Sequence, residues 1–198
     1  EIGFEMYQKI LDEAIRELKR TEFREVFKDE ISREDDFVKD CTIDTDLEIL
    51  IPDNYVENIT ERLTLYYRLD NCEDEITLQA FYAEMNDRFG PVPPKVEDLF
   101  TTVRCRRLAV GLGFERMVLK QDTLRCYFVN NPDSPYFESA VFQGILQFIQ
   151  TRINKGKLKQ VGKNFMLVVE SIENMKQLHE LLEFMHTDIL KKKEMVAS

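Results

Sequence analysis

The sequence predicts an α+β fold: a helical N-terminal half joined to a small antiparallel sheet, strand-strand-helix twice, with its helices packed on one face. Three observations predict it. Capped, helically periodic segments fill most of the chain up to Gly113, two strand-strand-helix units follow, and the helix of the second unit carries one apolar stripe. Helices with such stripes bury them by packing on one face of a sheet.

Residues 4–20 place Phe4, Tyr7, Leu11, Ala14 and Leu18 at alternating spacings of three and four, a narrow stripe on a helix of about five turns. Lys28 to Asp46 holds eight acidic side chains and little periodicity, so it reads as a solvated acidic loop. Polar/apolar alternation from Thr45 to Ile51 predicts a short strand that stops at the Pro52-Asp53 turn. A helix follows in which Ile59, Leu63 and Tyr66 share a face, ending near Asp70-Asn71. A second helix spans about 74–89, with Gly90 and Pro91 as its C-terminal punctuation. A third starts at Pro93-Pro94, where missing N–H groups cost nothing, and runs to the Gly111–Gly113 stop.

Beyond Gly113, segments 115–121 and 123–129 predict a hairpin and Ser134-Pro135 opens a helix to about Arg152. Strands near 157–162 and 165–170 then precede a helix capped by Ser171, with Met175, Leu178, Leu182, Met185 and Ile189 on one stripe. The implied organisation is a linker helix at 1–27, an acidic loop at 28–46, an α/β domain at 47–193 and a tail at 194–198. The chain begins at Glu1 with no signal sequence behind it and reads as a piece of something longer.

No apolar run approaches the roughly 20 residues needed to span a bilayer, and no membrane partner is expected. Cys41, Cys72, Cys105 and Cys126 form no C-x-x-C pair and none lies near a histidine, which fits a reducing cytoplasm. The formal net charge of −10 argues against a nucleic-acid protein, whose affinity comes from neutralising phosphates. Residues 1–100 hold 27 acidic against 12 basic side chains, which suits a basic protein partner for that half.

Catalytic chemistry has little support. His179, Glu183 and His186, at i, i+4 and i+7, are the only candidate metal ligands, and a metal-dependent hydrolase would have to centre on them. They resemble a zinc-protease helix imperfectly, because Glu183 stands where the second His belongs, and they also suit the polar flank of the apolar stripe. No phosphate-cradling G-x-x-x-x-G-K-[ST] loop exists, so neither a cofactor nor ATP hydrolysis is expected of this chain. The helix at 74–89 is more informative. Leu78, Tyr82, Met85 and Phe89 lie within about 60° of one another and face the core. Opposite them stand Ala80, Ala83, Glu84 and Asp87, small side chains beside carboxylates, a surface that admits a close partner and receives arginine.

Four segments, Ile2-Gly3-Phe4-Glu5-Met6-Tyr7, Ile51-Pro52-Asp53-Asn54-Tyr55, Arg62-Leu63 with Tyr66 and Arg68, and Asp87-Arg88-Phe89-Gly90 with Pro93, together resemble the C-terminal domain of the bacterial transcription-repair coupling factors, the Mfd family. The resemblance implies a non-catalytic regulatory domain that follows an ATP-dependent DNA translocase motor absent from this chain. It implies docking on the UvrB-like module of the same polypeptide, which hides the surface that recruits UvrA in excision repair. RNA polymerase and DNA would be met by other domains of the parent. Glu84 and Asp87 match the family's acidic docking positions. A different partner class, a repair or transcription protein bound in trans, would make the domain an adaptor.

Overall fold

The computed structural model describes residues 37–153, 156–162 and 164–196, with side chains described as far as Leu190. The helix expected at 4–20, the linker at 1–27 and most of the acidic loop lie outside the described residues. The compact unit that begins at Val38 contains strands β1 (Thr42–Thr45), β2 (Phe114–Lys120), β3 (Thr123–Phe128), β4 (Gly156–Val161) and β5 (Asn164–Glu170) in one sheet of order β1-β2-β3-β5-β4.

Strand β1 is Thr42–Thr45, and it pairs parallel with β2, Phe114–Lys120. This corrects two expectations. The strand lies inside the segment read as an acidic loop, rather than at 45–51, and it makes the sheet mixed rather than wholly antiparallel. Asp44 is compatible with the strand because its carboxylate meets Lys120 at 2.9 Å on the next strand. The segment after β1 turns at Pro52, whose carbonyl accepts from the N–H groups of Tyr55 and Val56.

Helix α1, Ile59–Asp70, begins where the Asn58 side chain accepts from the Glu61 N–H at 3.0 Å. Its buried residues are Leu65 and Leu69, whereas Ile59 and Leu63 are 66% and 64% exposed. Of the expected face only Tyr66 reaches the core, where its hydroxyl accepts from the Ile51 N–H at 2.7 Å. Helix α2, Glu75–Phe89, starts on the Asp74 cap, which accepts from Thr77 N–H at 2.7 Å, and ends at Gly90 with φ +86°. Tyr55 Oη donates to the carbonyls of Met85 and Gly90, fixing that end. Helix α3, Pro94–Gly111, completes the lobe, whose core joins Leu65, Leu69, Leu78, Phe81, Met85, Val96 and Phe100. Phe81, which was not among the expected core positions, is buried, while Tyr82 and Phe89 are only partly buried.

Strands β2 and β3, Thr123–Phe128, are joined by Gln121 and Asp122, both with positive φ, as a tight two-residue hairpin requires. The helix expected from Ser134 to Arg152 is broken. A 3-10 turn at Pro135–Glu138 precedes α4, Ala140–Thr151, because Ser139 recaps the chain by accepting from Phe142 N–H. Strands β4, Gly156–Val161, and β5, Asn164–Glu170, form the second hairpin. Helix α5, Met175–Val196, is capped by Asn174, which accepts from Gln177 N–H at 2.9 Å, and not by Ser171, which has φ +64°. It continues through most of the expected tail. The stripe of Met175, Leu178, Leu182, Met185 and Ile189 is buried as expected.

Two glycines let the helices approach closely. A methyl group at Gly111 of α3 would lie 3.2 Å from His186 Nε2 of α5, and one at Gly144 of α4 would lie 2.7 Å from Ile189 Cγ2. Both neighbours belong to α5, which therefore packs against α3 and α4.

Candidate docking face

Four residues, Ile76, Ala80, Ala83 and Asp87, recur along α2 at spacings of four, three and four, which places them on one stripe opposite Leu78 and Met85. All four are exposed, Ile76 to 82%. The expected small-and-acidic face is therefore present as a surface, with a large apolar side chain at its N-terminal end. The same arithmetic would have found Ile76. Tyr67 of α1, next to Arg68, is 72% exposed.

Glu84 differs from Asp87. Both guanidinium N–H groups of Arg68 donate to it at 2.7 and 2.6 Å, and Arg88 adds a third bond at 3.2 Å. Arg88 also donates to Glu61. This row of alternating charges locks α1 to α2, and the two arginines lie over the rings of Phe81 and Phe89 at 4.5 and 4.7 Å. Hydrogen bonding from Arg68, and then Arg88, holds the Glu84 carboxyl down to about 2. Arg68 and Glu84 are 42% and 36% exposed, so solvent screening keeps the pair to about 0.2–1 kcal/mol. Arg88, which helical geometry placed on neither face, is the link between the helices. The Arg68 partner of Glu84 is 16 residues away, and helical spacing within α2 carries no trace of it.

The possible metal ligands do not converge. His179 Nδ1 lies 4.0 Å from Glu183 Oε2, while His186 is directed at Gly111 of α3. No trio of His, Cys, Asp or Glu suited to a metal ion is found among the described residues. His186 has a structural part instead. Burial lowers its pKa below the ordinary 6.5, so the folded chain resists protonation that the unfolded chain accepts. Stability should be unaffected by His186 above about pH 6.5 and should fall as pH drops through that value. In urea titrations between about pH 5 and 8, His186→Gln should show a shallower acid-side decline than the parent chain.

The comparisons with known proteins agree with this architecture. The TRCF domain model matches residues 45–139. The transcription-repair-coupling factor of Rickettsia bellii is 33% identical over 164 residues, covering 82% of this chain and 13% of that protein. The Escherichia coli K12 factor is 28% identical over 116 residues, 59% of this chain and 10% of that protein. The chain thus spans about an eighth of the length of the Rickettsia relatives it matches. A crystal structure of the C-terminal domain of a transcription-repair coupling factor superposes with a TM-score of 0.64 over 78% of this chain and 94% of that one, at 16% identity, a likeness of fold. The chain belongs to the transcription-repair-coupling factor family and carries that family's C-terminal domain.

Proposed function

We propose that this domain is an intramolecular clamp. In the parent protein it docks through the outer stripe of α2 on the UvrB-like module and masks the surface that recruits UvrA, until the translocase engages RNA polymerase on DNA. The observation that carries this reading is the exposure of Ala80, Ala83 and Asp87 in one row, with no ion pair to Asp87 among the described residues. The two acidic positions then divide the work. Asp87 is the carboxylate available to a partner's arginine. Glu84, already held by Arg68 and Arg88, orients α2 against α1 and offers only its remaining lone pairs.

A contact of this size is weak between separate molecules, since exposed ion pairs contribute about 0.2–1 kcal/mol each. Within one polypeptide the effective concentration is on the order of millimolar, so a dissociation constant near ~1 μM keeps the clamp mostly shut yet releasable. The test uses the full-length parent protein and measures UvrA binding without DNA or polymerase. Asp87→Arg should raise that binding by about tenfold or more through charge repulsion at the docked face, and Glu84→Ala by less. Unchanged binding in Asp87→Arg would remove the latch from this face.

A further inference from the structure

The side of the sheet turned away from the helices gathers charge that the composition hides. On β3, Leu124, Cys126 and Phe128 face the helices, where Phe128 meets Phe142 of α4 edge to face with ring centroids 5.4 Å apart. Thr123, Arg125 and Tyr127 therefore face the other way. The pairing register extends this second set across the sheet. Arg125 is opposite Val118 and Val168, and Val168 is opposite Lys157. Tyr127 is opposite Arg116 and Met166, and Met166 is opposite Lys159. Lys120 belongs to the same face by parity with Arg116 and Val118. Five cations thus share this face with Tyr127, and the register places Asp44 and Glu170 among them, a balance of five against two in a chain of net charge −10.

The side chains of Arg116 and Lys157 are 55% and 66% exposed, while Arg125 and Tyr127 are half-buried and cover Val118 and Val168 between them. Asp44 is occupied by Lys120 at 2.9 Å and Arg116 at 3.7 Å, and Glu170 by Lys157 at 3.8 Å. Arg125 and Lys159 form no ion pair among the described residues. The Arg116 guanidinium lies over the Tyr127 ring, 5.6 Å from its centre, so a base would stack on this cation-ring pair or displace the arginine from the ring. Cations in rows on a twisted sheet, with an aromatic ring at the centre, match a chain of phosphates carrying unpaired bases. A duplex keeps its bases stacked and could not use the ring.

We propose that this face binds single-stranded nucleic acid, with phosphates against Arg125, Lys157 and Lys159 and a base stacked at Tyr127. The reading is independent of the clamp. The experiment uses the 198-residue chain and a fluorescein-labelled oligothymidylate of about 16 nucleotides, followed by anisotropy at several salt concentrations. The expected result is salt-dependent binding that Arg125→Glu with Lys159→Glu weakens by at least about tenfold, and whose log-log salt slope falls by about 1.4 for two lost phosphate contacts. Tyr127→Ala should weaken binding roughly tenfold while Tyr127→Phe retains it, both with unchanged circular dichroism. Oligothymidylate binding by the 198-residue chain does not involve the clamp, which is read from UvrA binding to the full-length parent, so failure of the clamp and failure of this face are distinguishable. Three results would overturn the proposal. They are absence of salt-dependent binding, indifference to the double charge reversal, and equal affinity for polyglutamate, which would make the face a dock for an acidic protein.

Discussion

Gly113→Ala should cost about 4 kcal/mol in urea unfolding, or prevent folding altogether. Two independent penalties meet at this position. Gly113 has φ +81°, a conformation in which a side chain is strained by about 1 kcal/mol. A methyl group there would also lie 2.1 Å from Tyr136 Cε2 and 2.8 Å from its hydroxyl. Tyr136 has nowhere to retreat. It is wholly buried, its ring contacts Phe128, Phe137 and Phe142, and its hydroxyl donates to the Leu112 carbonyl at 2.7 Å. Displacing it forfeits stacking and hydrogen bond together, on the scale of emptying an aromatic site, about 3–5 kcal/mol. Tyr136→Phe serves as the reference. It leaves the ring in place and the Leu112 carbonyl short of a donor, and should cost about 1–2 kcal/mol.

The second large effect is a reversal of sign at Gly144. In an ordinary helix interior, glycine to alanine gains about 1 kcal/mol. Here the added methyl would stand 2.7 Å from Ile189 Cγ2, with Cγ1 and Cβ at 3.4 and 3.5 Å. Ile189 is β-branched and holds essentially one χ1 rotamer in a helix, so it cannot swing aside. Overpacking should cost about 1–3 kcal/mol and leave Gly144→Ala net destabilising by about 1 kcal/mol. Ile189→Ala removes two of the three contacting carbons, Cγ1 and Cγ2, and in that background the same substitution should become stabilising by about 1 kcal/mol. A double-mutant cycle by urea titration reads the coupling as the difference, about 2 kcal/mol. Additive effects would show that α4 and α5 are not in contact here.

What the residues revealed before any coordinates divides by the range of the interaction. The Gly90 stop, the Pro93-Pro94 start and the Met175 to Ile189 stripe are local patterns, and each proved to be where its spacing put it. Strand β1 was misplaced because nothing in Thr42–Thr45 alternates strongly. Its strand character comes from β2, more than 70 residues later. Ile59 and Leu63 share a face with Tyr66 as their spacing says, but periodicity cannot tell that Tyr66 meets the core while the other two do not. At the docking face the row of Ala80, Ala83 and Asp87 was legible from helical geometry. The commitment of Glu84 to Arg68 was not, because the pair spans two helices.

The parallel pairing of β1 with β2 also orders assembly in time. The two hairpins, β2 with β3 and β4 with β5, close over turns of a few residues and need little chain entropy to form. β1 has no partner until α1, α2 and α3 have folded between it and β2, so it docks late on an edge that the rest of the domain has built. Arg106 of α3 then fastens it, donating to the Cys41 carbonyl at 3.0 Å and gripping Asp40 and Asp70. A strand that is last to dock is also first to leave. Opening of β1 would therefore leave the two hairpins, which pair with each other through β3 and β5, intact.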